Sequence, residues 1–138
     1  MREIKFRALA PKIDGEWHYG SFIENTINDF DSYILENDGN ATKVLIDRET
    51  VGQYTGLKDK NEKEIYEGDI VKVNNEIIAK VIWDKDYLGY FLYANEENSI
   101  DSFENGEQPL CDYFGSIEVI GNIYENLELL KEGESYEK

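Results

Sequence analysis

His18 is the single histidine and Cys111 the single cysteine among 138 residues, so any Ser-His-Asp or Cys-His chemistry must run through these two side chains. His18 lies between Trp17 and Tyr19 on an expected strand. The alternation turns it to the face opposite those aromatics and predicts a solvated surface histidine. Cys111 falls in an acidic segment, where neighbouring charge raises a thiol pKa and opposes activation. One cysteine also excludes an intrachain disulfide and a thiolate metal site within one chain.

Carboxylates are the more abundant chemical resource. Asp59, Glu64, Glu67, Asp69, Asp84 and Asp86 lie close enough in sequence to consider a Mg²⁺ site or paired acid and base groups. The run Asp84-Lys85-Asp86-Tyr87-Leu88-Gly89 begins like a Ca²⁺ loop, then fails. Leu88 stands where the fifth-position oxygen ligand belongs, and Asn95 where a bidentate Glu is required. A plain turn after Trp83 is the expectation. No dinucleotide fingerprint and no phosphate loop is present, so no cofactor is implied.

Net charge narrows the partners. The chain carries 30 Asp and Glu against 14 Lys and Arg, a net charge of −16. Its field repels phosphate, which disfavours direct nucleic-acid binding. Between Asp86 and Leu130 there is no Lys or Arg, while Asp86, Glu96, Glu97, Asp101, Glu104, Glu107, Asp112, Glu118, Glu125 and Glu128 are all acidic. Such a stretch is either a solubilising surface or an acidic face that imitates a nucleic-acid backbone. Tyr87, Tyr90, Phe91 and Tyr93 lack the basic groove of a single-strand binder and read as strand aromatics.

The elements that must position these residues are strands. Ile4, Phe6 and Ala8 alternate with Lys5 and Arg7, predicting a first strand over about 3–9. Trp17, Tyr19 and Phe22 continue an expected hairpin; residues around 24–34 read as loop, and Tyr33–Glu36 and Lys43–Ile46 as strands about Asn37-Asp38-Gly39-Asn40. Residues 50–57 favour a strand, residues 58–63 an exposed polar turn. Glu67-Gly68 then feeds Asp69–Val73, followed by strands at 77–83 and 88–93 and a closing strand near 117–123. Residues 94–116 read as an acidic loop, Leu127–Leu130 as a short helix, and 131–138 as a fraying tail.

The expected fold is mainly β. It is a small bent sheet or SH3-like, partly open barrel over about 59–124, with an N-terminal β extension and a short C-terminal helix, in one domain spanning 1–138. No apolar run approaches the ~20 residues of a membrane-spanning helix, and the N-terminus lacks a signal-peptide core. A cytoplasmic protein is expected.

Gly52-Gln53-Tyr54-Thr55-Gly56-Leu57-Lys58-Asp59-Lys60-Asn61, followed by Lys63-Glu64-Ile65-Tyr66-Glu67-Gly68-Asp69-Ile70-Val71, closely resembles the signature of the YopX family of phage and prophage proteins. Ile4–Ala8, Tyr19-Gly20 and Val119–Asn126 extend the resemblance in the same order. Glu62 departs from it where the family usually has Gly, which leaves the turn type open; Leu9 stands where a Trp is common, and Leu127 where a Pro often precedes Glu-Leu-Leu. The resemblance implies a compact β-rich fold, a bacterial intracellular setting and a mobile-element origin. It carries no reaction, cofactor or catalytic residue.

Turn chemistry alone accounts for the small and acidic residues of the signature. Should the signature form a shared interaction surface, Gln53, Tyr54, Thr55, Asp59, Tyr66 and Asp69 are its candidates, with Asp86, Glu96, Glu97, Asp101 and Glu104 on an acidic face. The leading expectation is a non-enzymatic accessory module that binds a host or phage protein. The alternatives are an acidic DNA mimic occupying a basic host protein, and a metal-dependent hydrolase using carboxylates near Asp59 to Asp69. Strand edges leave a homo-oligomer open.

Overall fold

Period-two sequence patterns become two antiparallel sheets in the computed structural model, which describes residues 2–24, 31–94, 107–109 (as backbone) and 116–130. Most of the expected acidic loop at 94–116, the tail at 131–138 and part of the expected loop around 24–34 lie outside these residues. Neither sheet closes into a barrel. The chain groups into two compact units, Met1–Gly56 and Leu57–Lys138.

The first unit contains β1 (Phe6–Leu9), β2 (Trp17–Glu24), β3 (Ser32–Glu36), β4 (Lys43–Ile46), a 3₁₀ turn (Arg48–Thr50) and most of β5 (Gly52–Lys58). Their order across the sheet is β4-β3-β2-β1-β5. Ala8, Ala10, Ile34, Val44 and Ile46 are buried together, with Phe6, Phe22 and Val51 packed against them. The expected N-terminal extension is thus a sheet with a hydrophobic cluster of its own.

The register assigns the faces of β2 differently from the sequence reading. Phe6 pairs with Gly20, Ala8 with His18 and Leu9 with Trp17. Paired residues share a face, so His18 and Phe22 stand on the Phe6–Ala8 side and Trp17 and Tyr19 on the other. The solvated histidine is therefore a half-buried one. Both faces of β2 carry aromatic residues, and alternation by itself cannot say which of them turns inward.

The second unit contains the end of β5, then β6 (Glu64–Tyr66), β7 (Asp69–Val73), β8 (Ile77–Asp84), β9 (Gly89–Ala94), β10 (Glu107–Pro109) and β11 (Ile117–Asn122). The five-stranded sheet runs β10-β9-β8-β7-β11. Ile65, Val71, Val73, Ile77, Ala79, Val81, Leu92 and Ile117 form its core, with Tyr90, Ala94 and Val119 against them. β11 lies on the edge and carries a bulge between Val119 and Gly121. A first turn of helix follows at 128–130, where the short closing helix is expected. Among the described residues no helix is long and apolar enough to cross a membrane.

Candidate functional site

Asp59 begins the polar turn of the signature, and its side chain is only 6% exposed. The Asp59 carbonyl accepts from the Glu62 N–H at 3.0 Å, and the Asp59 N–H donates to the Lys63 carbonyl at 2.8 Å. This is a three-residue hairpin loop whose last residue takes the left-handed conformation, a position that favours glycine. Glu62 occupies it at φ 66°. A residue with a Cβ at this position carries backbone strain, and the turn type left open by Glu62 is resolved.

The Asp59 carboxylate organises this loop and reaches beyond it. Oδ1 accepts from the N–H groups of Asn61 at 2.8 Å and Lys63 at 2.9 Å, and Oδ2 accepts from Val119 N–H at 2.9 Å. Lys60 N–H donates to the Ile117 carbonyl at 2.9 Å, and the Lys60 ammonium lies 3.8 Å from Glu118. The turn therefore covers the outer edge of β11, satisfying backbone groups that an edge strand leaves open. Burial pushes the Asp59 carboxyl pKa up. The N–H groups of Val119, Lys63 and Asn61, with the Lys63 charge, outweigh it and hold the carboxyl below its ordinary 3.8.

The second acid of the signature is used in a similar way. Asp69 is 1% exposed, and its Oδ2 accepts from Tyr66 N–H at 2.8 Å across the Glu67-Gly68 turn. Gly68 has φ 93°, and a Cβ there would press against the Tyr124 ring at 3.2 Å. Its N–H donates to the Val81 carbonyl and its carbonyl accepts from Ile123 N–H, at 2.8 and 2.9 Å. The Tyr66 hydroxyl donates to Glu64 at 3.0 Å. Both turns of the signature thus meet the second resembling block, residues 119–126.

That block has its own local logic. Asn122 Oδ1 accepts from the N–H groups of Tyr124 and Glu125, both at 3.0 Å, and its amide donates to the Glu125 carboxylate at 3.1 Å. Asn126 returns to accept from Asn122 N–H at 3.1 Å. A Cβ at Gly121 would lie 2.7 Å from the Asn126 oxygen, so only glycine leaves room for this return.

The remaining candidates are dispersed. Gln53, Tyr54 and Thr55 belong to the first unit, where Tyr54 is buried, its N–H donates to the Lys5 carbonyl at 2.8 Å and Lys5 lies over its ring at 5.6 Å. Asp59, Tyr66 and Asp69 belong to the second unit and are buried. Asp86 is exposed in the β8–β9 turn. Glu96, Glu97, Asp101 and Glu104 lie outside the described residues, as does Cys111. Among the described residues, no group of three His, Cys, Asp or Glu side chains is arranged to hold a metal ion.

The β8–β9 turn presents a feature that residue types alone do not announce. Asp84 Oδ1 accepts from the N–H groups of Asp86 at 2.9 Å and Tyr87 at 3.3 Å, and Oδ2 accepts from the Tyr93 hydroxyl at 2.6 Å. The Tyr93 hydroxyl foremost, then the two N–H groups, hold the Asp84 carboxyl below its ordinary range against slight burial. The stretch is a plain turn, as expected. At its tip Tyr87 and Leu88 are 65% and 76% exposed, and Leu88 takes the left-handed conformation at φ 52°; Trp83, on β8, is 45% exposed. Trp83 meets Tyr90 edge-on at 5.1 Å, and Tyr87 lies 5.3 Å from Phe91. The one available signal was a leucine next to Gly89 in a turn that has no need of an apolar side chain.

The sequence matches the YopX protein family over residues 5–131. The chain belongs to the YopX family. The chain is also similar to the crystal structure of protein EF1440 from Enterococcus faecalis, at 23% identity and a TM-score of 0.55, over 94% of this chain and 99% of that one. At that identity the likeness concerns the fold. No curated protein matches the sequence.

Proposed function

We propose that this YopX-family chain is a non-enzymatic accessory protein of phage or prophage origin that binds a protein partner through the tip of the β8–β9 hairpin. The observation that carries the reading is Leu88, an exposed apolar residue held at φ 52°. A left-handed conformation costs a residue with a Cβ roughly 1–2 kcal/mol. Gly or Asn would make the same turn without that cost, and an exposed leucine returns little burial to the fold. An outlier of this kind points toward recognition.

Tyr87 beside it, set against Phe91 at 5.3 Å, supplies the rigid aromatic surface typical of binding hot spots. The non-enzymatic part of the reading draws support from the signature carboxylates, since Asp59 and Asp69 are buried against backbone N–H groups.

The test is affinity capture with the full chain from phage-infected or prophage-induced bacteria, followed by titration of the captured protein in purified form. Replacing Tyr87 by Ser and Leu88 by Asn together is expected to weaken binding roughly tenfold or more, with the melting temperature maintained. Equal affinity of the double variant and the parent chain would remove the hairpin tip from the proposal.

A further inference from the structure

Two segments of the first unit meet at one imidazole. His18 stands on β2 opposite Ala8, and its side chain is 14% exposed. Nε2 lies 3.1 and 2.9 Å from the two carboxylate oxygens of Asp14, and Nδ1 lies 3.3 Å from a carboxylate oxygen of Glu36. Asp14 belongs to the loop between β1 and β2, and Glu36 ends β3.

Each acid is fixed by its own segment. The Ala10 carbonyl accepts from the N–H groups of Ile13, Asp14 and Gly15, closing the loop, and Asp14 accepts from Glu16 N–H at 2.9 Å. Glu36 N–H donates to the Thr42 carbonyl at 2.8 Å, at the base of the β3–β4 hairpin. The charged groups bonded to the ring are thus Asp14 from the loop and Glu36 from β3; Glu16 is a further exposed acid of the same loop, and β1 contributes the apolar Ala8.

Ionised carboxylates only accept hydrogen bonds. A neutral imidazole has one N–H and would direct a lone pair at one of the two acids, whereas the imidazolium serves both. The geometry points to a pH-operated clasp in which protonated His18 ties the β1–β2 loop to the end of β3, and its deprotonation releases one of the two carboxylates. Glu36 also lines a cleft of about 330 Å³ with Lys5, Ser21 and Asn37. When Glu36 is the acid released, its charge joins the paired Lys5 and Glu3 on the cleft wall.

The direction of titration agrees with this geometry. Burial pushes the His18 pKa down, but the hydrogen bonds and charges of Glu36 and Asp14 outweigh it and raise it above the ordinary 6.5. A raised folded-state value means that the clasp stabilises fully below the unfolded value and fades as pH rises through the folded one.

Because His18 is the only histidine, its ring proton can be followed by NMR in the untagged chain without assignment. Its titration midpoint is expected above 6.5, and it should fall in Glu36→Gln and again in Asp14→Asn. A midpoint at or below 6.5 would overturn the clasp. Melting curves of the parent chain and His18→Gln provide a second arm. The parent's advantage should be present near about pH 5.5 and vanish near about pH 8.5, and a difference that ignores pH would equally defeat the inference.

Discussion

Two turns in the second unit begin with an aspartate that accepts hydrogen bonds from backbone N–H groups within its own loop, Asp59 and Asp84. Each also holds a side-chain-bearing residue in the left-handed conformation, Glu62 and Leu88. The resemblance ends at burial. Asp59 uses its second oxygen on Val119 and is sealed against β11, while Asp84 uses its own on Tyr93 and leaves an aromatic tip in solvent. The same turn chemistry therefore serves closure in one place and presentation in the other. What separates the two is the target of the second carboxylate oxygen: a backbone group on a distant strand, or a side chain on the next one.

The largest expected effect comes from breaking the buried turn. Asp59→Ala removes the acceptor of three N–H groups, one on the edge of β11, and should cost about 3 kcal/mol in urea denaturation, given 1–3 kcal/mol for each buried donor left unsatisfied and partial rescue by water. A cost below about 1 kcal/mol, the scale of one ordinary hydrogen bond, would show that the turn does not hold β11. Acid sharpens the contrast. The Asp59 pKa is lowered in the folded chain, so its contribution is present above the ordinary 3.8 and is lost as pH falls through the folded value. The stability gap between the parent chain and Asp59→Asn should therefore narrow below pH 3.8, and a constant gap would assign the effect to packing.

Smaller effects separate the two strained residues. Glu62→Gly and Leu88→Gly each relieve a left-handed backbone and should stabilise by about 0.5–1 kcal/mol after the added chain entropy of glycine is counted. Only Leu88→Gly should also weaken partner binding. Binding by Leu88→Gly equal to that of the parent chain would remove the Leu88 side chain from the contact surface. Tyr93→Phe should have the least effect, a slight drop in melting temperature, because Asp84 keeps its two N–H donors and its contact with water.

Much of this arrangement was legible in the residues. The strands near 3–9, 33–36, 43–46, 69–73 and 77–83 follow from alternation between polar turns; the polar run from Lys58 to Lys63 does turn, but Lys58 ends β5 and Asp59 is buried where an exposed turn is expected. Specific side-chain contacts, near or far in sequence, were not legible. Nothing local in Asp59 announces Val119, and nothing in Gly121 announces the Asn126 side chain that excludes a Cβ. β10 escaped because Glu107-Gln108-Pro109 has no strand-favouring residue, and its pairing with β9 supplies the order. The face of β2 escaped because aromatic residues lie on both sides of it. The signature looked like a place for chemistry because buried turn-forming acids and reactive acids are the same residue types.

The bond from Val119 to Asp59 spans 60 positions of the sequence. During synthesis, the turn at 59–63 leaves the ribosome long before the strand whose edge it covers. Until residue 119 follows, β7 has β8 on one side and an open edge on the other, and Asp59 has only its own loop to bind. Completion of the sheet is therefore a late event in the life of each molecule. A stalled or truncated chain ending before β11 would present an unpaired strand to its neighbours and favour intermolecular association.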